Sequence, residues 1–378
     1  MGEDSGGEMQ DTILKQLSID ARISMKTLSD TTRSGKGNAY GMFNKVVEEY
    51  GLRFVPEIDI NNLWKWEFIK KARMRTKRGI LNEAMEAIPI TGFGEYMMLV
   101  KFTGKAPSDA EIVAAFGTSY APQFAARLEG DSHDLMVYVV ARSYEDAVEF
   151  ANAFGKKLSG HKMAIFTNRI WGVYGFFPLN AKLISQFDIF DSYKNLLLGL
   201  NGAGRDTFSE IGRKAGQGPA QMLYAYDRLI RTGILKRITY YEGRPKCTIN
   251  VMLSIKANNP KAFDEGKDAW FMKLIKQYEH SENECIFMCD TPSPKGMLVI
   301  ASFRKSSDAN RFVSSVRSTL AGVEVARHDI GNVLVGNLGI RNFDMRYSQQ
   351  YRSLAIRRMV PRIEEKLMGA VTDNPDLF

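Results

Sequence analysis

The chain has 378 residues, 44% hydrophobic and 25% charged, with 51 Lys and Arg against 43 Asp and Glu for a net charge of +8. That composition belongs to a folded chain of several domains and excludes a collagen-like or disordered one. No apolar run reaches membrane-spanning length, the opening MGEDSGGEMQ is unlike a signal peptide, and three cysteines, all in the second half, argue against a disulfide framework. A cytoplasmic protein with no membrane association and a polyanionic partner is expected, DNA placing it at the nucleoid.

Residues 1–9 are expected to be loose. Residues 10–60 predict three helices and a strand, a first winged helix-turn-helix. Ser24 precedes MKTLSD as a cap, Ser34-Gly35-Lys36 breaks the chain before a third helix, and Gly51 ends that helix. Residues 61–92 form a basic connector. Within it, NLWKWEFIKKARMRTKR (62–78) carries Lys65, Lys70, Lys71, Arg73, Arg75, Lys77 and Arg78 against Glu67 alone. Trp64, Phe68 and Ala72 fall on one side of that helix, and Trp66 is a candidate for contact with bases.

Residues 93–178 read as strand, helix, strand, strand, helix, strand. EYMMLVKF (95–102) and LMVYVVA (135–141) are strands, and Ser108 and Ser143 cap the two helices. The order βαββαβ is the ferredoxin-like unit. Residues 179–245 then repeat the first design with stronger punctuation. Leu196, Leu197 and Leu200 close one helix, and Asp206 and Thr207 cap the next, whose inner side carries Phe208, Ile211 and Ala215. Gly216 and Gly218 break it, Pro219 opens a third helix, and Gly233 ends that one before the strand Ile234 to Tyr241. Residues 246–340 repeat βαββαβ, with strands at 247–255, 284–289, 297–303 and 323–335 and helices within 260–278 and 306–320. Residues 341–378 are expected as a basic amphipathic helix over Tyr347 to Met368 and a tail. The predicted fold class is α+β: two winged helix-turn-helix domains alternating with two ferredoxin-like domains in a tandem duplication.

This arrangement resembles the Lrp/AsnC family of transcription regulators, archaeal ones in particular. The likeness is strongest over Leu196 to Tyr241, where FSEIGRKAG and RLIRTGILKR look like the second and third helices and the wing. The family carries one copy of each domain per chain, whereas two are predicted here. The resemblance implies a DNA-binding regulator whose ferredoxin-like domains pair and take a small-molecule effector, with Gly331 to Gly339 and Gly172 to Gly175 as candidate effector loops. A homo-oligomer is a further possibility. Two unlike copies joined in one chain would supply both halves of such a pair internally.

Candidate DNA contacts in the first copy are Arg33, Ser34, Lys36, Asn38, Tyr40, Asn44 and Lys45, with Lys70, Lys71, Arg73, Arg75, Lys77 and Arg78 from the connector. In the second copy they are Gln217, Gln221, Tyr224 and Arg228, with Lys236 and Arg237 in the wing. Arg, Asn and Gln pair with base edges, and Lys and Ser hold phosphates. Signs of chemistry are sparse. Cys285 and Cys289 lie on one face of a strand but too far apart for one ion, the four histidines are scattered, and no phosphate or dinucleotide fingerprint is complete. No catalytic residue, metal or cofactor is expected, and the chain is expected not to be an enzyme. Three alternatives to a regulator stand beside it: an architectural DNA binder, a protein-interaction scaffold and a nucleic-acid-processing enzyme.

Overall fold

A computed structural model describes residues 4–71, 93–130, 132–175, 177–201, 203–242, 247–278, 284–292, 295–320 and 322–338. The chain is α+β, with two winged helix-turn-helix units alternating with two ferredoxin-like units. The first helical unit comprises α1 (Asp4–Ile19), α2 (Met25–Thr32), α3 (Lys36–Tyr50) and the strand β1 (Leu52–Ile58). Helix α1 starts inside the segment expected to be loose, and Ile13, Leu14 and Leu17 bury its inner face. After α4 (Ile60–Lys71) come β2 (Gly94–Phe102), α5 (Asp109–Phe116), β3 (Pro122–Glu129), β4 (Leu135–Ala141), α6 (Tyr144–Lys157), β5 (Met163–Arg169) and β6 (Trp171–Tyr174).

The second half runs α7 (Ala181–Gln186), α8 (Asp191–Leu200), α9 (Phe208–Ala215), α10 (Pro219–Arg231) and β7 (Leu235–Glu242). It continues with β8 (Ile249–Ala257), α11 (Pro260–Tyr278), β9 (Glu284–Pro292), β10 (Lys295–Phe303), α12 (Ser306–Thr319) and β11 (Val323–Val335). The short helix α7, capped by Asn180, was not expected from the sequence. The helix expected over 347–368 lies outside the described residues.

Nine strands form one sheet in the order β5-β2-β4-β3-β11-β8-β10-β9-β6. Its two end strands, β5 and β6, are consecutive in the chain and separated only by Ile170, so the sheet closes on itself. The closure has a near-twofold pattern. The first part of β11 pairs with β8 and its second part with β3 of the other ferredoxin-like unit. In the same way, β5 pairs with β2, and its continuation β6 pairs with β9.

This closure explains why LMVYVVA is apolar without alternation. Leu135, Val137 and Val139 pack under α5 and α6, while Met136, Tyr138 and Val140 face inward. Strand β10 divides likewise, with Met297, Val299 and Ala301 under its helices and Leu298 and Ile300 inside. A strand buried on both faces has no polar side to show. The inner space is filled by rings: Phe177 lies 4.4 Å from Phe124, 4.9 Å from Tyr138 and 4.9 Å from Phe287, centroid to centroid.

Candidate nucleic-acid interface

Each helix-turn-helix unit is a short helix, a tight turn and a longer helix, built alike at an offset of 183 residues. The Ser24 hydroxyl accepts the Thr27 N–H at the start of α2. The Thr207 hydroxyl accepts the Glu210 N–H at the start of α9, and the Glu210 carboxylate returns the contact as a capping box. Both first helices end on a left-handed residue, Gly216 in the second unit (φ +66°) and Arg33 in the first (φ +52°). Glycine adopts that conformation freely and arginine does not. Among the described residues Arg33 alone has a positive φ without being glycine.

On the first unit, Arg33, Lys36, Asn38, Tyr40, Asn44 and Lys45 are all exposed, together with Lys26 of α2, which the sequence reading passed over. Ser34 is less open than its neighbours. It is half-buried, its hydroxyl shares a hydrogen bond with Thr32 (2.8 Å), and its carbonyl accepts the Ser29 hydroxyl (2.6 Å).

The second unit is less polar. Gln221 and Tyr224 are exposed as expected, but Leu223 is exposed beside them at 54%, and Asp227 is paired with Arg231 at 2.8 Å. Gln217 is half-buried, with its Oε1 turned inward. Arg228 is half-buried over the Trp66 ring, 5.9 Å from its centroid, and bonds the Tyr193 hydroxyl. Both are therefore less open to solvent than the sequence leads one to expect. Trp66 is buried as well, 5.5 Å from Tyr193 and 6.1 Å from Phe190, and does not offer a face to bases. The side chains of Lys70 and Lys71, and all of Arg73, Arg75, Lys77 and Arg78, lie outside the described residues.

The wings differ most from expectation. Strands β1 and β7 pair with each other, antiparallel, from Leu52 opposite Glu242 to Ile58 opposite Leu235. Each strand supplies the partner that a lone wing strand lacks for its backbone groups. Arg237 is consequently turned inward, donating to the Glu57 carboxylate at 2.7 Å and to the Ser18 carbonyl. Lys236 keeps some exposure but lies 3.8 Å from Glu57 and 3.7 Å from Asp59. Arg237 thus lies at the joint between the two units and not on an open wing, because β7 packs on α1 of the other unit, where Tyr240 joins Ile13, Leu14 and Leu17.

The joint between the two helix-turn-helix units also rests on two residues that no local pattern singled out. Arg22 donates to the carbonyls of Gly204 (2.7 Å) and Asp206 (3.0 Å) and lies 4.4 Å from the Phe208 centroid. Arg205, 183 positions on, donates to the Ala21 and Ile23 carbonyls and lies 4.7 Å from the Phe43 centroid. Burial pulls its pKa down, although the group stays cationic. The residues just before them reciprocate: Ala21 N–H donates to Ile238, and Gly204 N–H to Phe54. The only signal in the sequence was that the offset aligning the helices also places Arg22 on Arg205.

On β2 of the closed sheet lies Glu95. Its carboxylate accepts the Tyr138 hydroxyl at 2.7 Å, and burial still pushes its pKa up, with the charge of Lys236 working against that shift. Burial and Glu95 together push the Tyr138 phenol well up. The histidines are less scattered than expected, since His133 and His328 meet at Ser132. Burial pushes His133 down, opposed by a smaller pull from Asp134. Cys289 is buried and free, its thiol pushed well up by burial. The expected effector loop from Gly331 is, through Val335, part of β11 paired with β3.

No protein-family model matches the sequence, and the search of curated proteins gave no match. Among solved structures, the siroheme decarboxylase NirDL is similar over 93% of this chain and 99% of its own, with 13% identity and a TM-score of 0.53. The same enzyme in co-complex with an iron-uroporphyrin III analogue matches 92% of this chain and 98% of its own, at 12% identity and a TM-score of 0.52. The leucine response regulatory protein of Mycobacterium tuberculosis matches 42% of this chain and 90% of its own, at 8% identity and a TM-score of 0.25, a likeness too slight to argue from. Lrp/AsnC-family regulators are thus neighbours over part of the chain only. The expectation that the chain is not an enzyme is overturned, because the structure that is similar over 93% of it is that of an enzyme.

Proposed function

We propose that the chain binds double-stranded DNA as a transcription regulator, with α3 as its main reader and α10 as an unlike second one. The observation that carries this reading is Arg33, an exposed arginine in left-handed conformation at the mouth of the first helix-turn-helix, where the second unit has Gly216. Such a conformation costs about 1 kcal/mol for a residue with a side chain. Around it Lys36, Asn38, Asn44 and Lys45 form an exposed band suited to phosphates and base edges. The reciprocal arginines hold both readers in one frame, so a single chain is expected to engage two unlike half-sites without a second copy. In this reading residues 10–60 and 179–245 are the readers, 93–178 and 246–340 are the frame, and the halves descend from one duplicated unit.

The test is selection of bound fragments from random-sequence DNA by the full chain at moderate salt. A motif of two unlike half-sites, bound by one chain, is expected. Motif-free recovery with a steep salt dependence is the outcome of an architectural binder, and no retention refutes DNA binding. An enzymatic activity is a second reading, favoured by the whole-length fold likeness. The ligand of that neighbour is not carried over: inside the closed sheet of this chain Phe124, Tyr138, Phe177 and Phe287 pack ring against ring.

A further inference from the structure

Two of the chain's four histidines meet across the two ferredoxin-like units. Ser132 and His133 lie in the turn between β3 and β4, and His328 lies on β11. The Ser132 Oγ stands 3.1 Å from His133 Nδ1 and 3.0 Å from His328 Nε2, and the two ring centroids are 5.6 Å apart. Nearly two hundred residues separate the partners, so only the closure of β11 onto β3 brings them together.

The surroundings are those of a built site. His328 is 1% exposed, and its Nε2 edge is turned to Ser132, which is itself exposed. The His133 ring is steadied edge-on by Phe166, at 5.7 Å between centroids. At Gly130 a Cβ would stand 2.9 Å from His328 Nδ1 and 3.1 Å from the Arg327 carbonyl, so the turn closes on the imidazole only with glycine there. The fold does not require histidine at this register. His328 lies opposite Met252 on β8, and the corresponding residue opposite Met97 on β2 is Asn168.

We infer that Ser132, His133 and His328 bind a divalent transition-metal ion of the zinc, copper or nickel class, through two imidazole nitrogens and the serine hydroxyl, with solvent completing the shell. Adjacent donors of a tetrahedral site with bonds of about 2.0–2.2 Å stand roughly 3.3–3.5 Å apart. The two nitrogen-to-oxygen edges observed here fall a few tenths of an ångström short of that, within reach of a small side-chain adjustment. Imidazole selects these ions over magnesium and calcium, which need carboxylate oxygens. Among the described residues, the carboxylates next in the chain to the two histidines are already engaged: Asp134 accepts from Lys101 at 3.1 Å and from the Phe102 N–H at 2.7 Å, and Asp329 accepts from Arg327 at 2.7 Å. Among the described residues no group of three His, Cys, Asp or Glu stands ready for a metal, so the site is an open one of modest affinity with exchangeable positions. Because its donors come from two units, an ion there also clasps the closed sheet.

The test uses the full chain, stripped with chelator and titrated with Zn²⁺ by calorimetry and with Cu²⁺ by electron paramagnetic resonance. One ion per chain, copper hyperfine coupling from two imidazole nitrogens, and a rise in Tm with Zn²⁺ are expected. Affinity should fall at least tenfold in His328→Asn, which installs the residue of the equivalent register, and in His133→Ala. His161→Ala, a histidine outside the cluster, should leave affinity unchanged. Circular dichroism of each variant separates loss of the site from loss of the fold. Absence of binding below about 1 mM, or binding that survives both folded variants of His133 and His328, overturns the assignment.

Discussion

Removing either arginine of the joint should uncouple the two readers. Arg22 makes two hydrogen bonds to backbone carbonyls and lies over Phe208, and Arg205 mirrors it over Phe43. Hydrogen bonds from a charged group contribute about 1.5–3 kcal/mol in favourable cases, and an aromatic contact at a partly exposed site adds about 0.5–1 kcal/mol. Both guanidiniums are half-buried, so part of this is offset by lost hydration, and the carbonyls left behind regain water. We therefore expect about 2 kcal/mol of destabilisation for Arg22→Ala and a similar value for Arg205→Ala, read from urea unfolding of the full chain. The double variant should cost less than the two together by about 1 kcal/mol, because both hold one interface. On DNA, each single variant should protect one half-site and lose the fixed phase of the other. Singles that cost under 0.5 kcal/mol, add fully and leave a two-part footprint intact would refute the idea that this joint sets the frame.

Three further outcomes test other parts of the molecule. Arg33→Gly should raise unfolding stability by up to about 1 kcal/mol by relieving the left-handed arginine, while lowering DNA affinity and the salt slope; a variant losing stability would mean the conformation is not strained. Glu95 has a folded pKa above its unfolded one, so its contribution to stability is full below the ordinary carboxylate range and is lost as pH rises through the raised value. Glu95→Gln should remove that decline, gaining most over the parent at pH 8 and little at pH 5, as urea midpoints at the two pH values would reveal; equal gains at both would exclude the burial effect. Phe177→Ala takes the central ring from a cluster with Phe124, Tyr138 and Phe287 and should cost about 3–5 kcal/mol; a loss below 1 kcal/mol in urea unfolding would mean the inner space is not tightly packed.

Local structure was legible because its causes are local. Ser24 and Thr207 cap helices with their own hydroxyls, Gly51 and Gly216 end helices in the left-handed region, and the apolar run of β4 announced a strand. The 183-residue offset carried by the caps was enough to predict two copies of the helix-turn-helix unit, and helical spacing marked Lys36, Asn38 and Lys45 as exposed on α3. What tertiary structure alone decided is which backbone edge meets which. A strand's sequence states its two faces but not its neighbour, so the pairing of β1 with β7 and the closure of β5–β6 against β9 had no local signature. Those pairings turned Arg237 and Arg228 inward, buried Trp66, set Arg22 opposite the carbonyls beside Arg205, and carried His328 to Ser132. Side chains so placed act through partners more than a hundred residues away, and spacing along the chain holds no record of such distances.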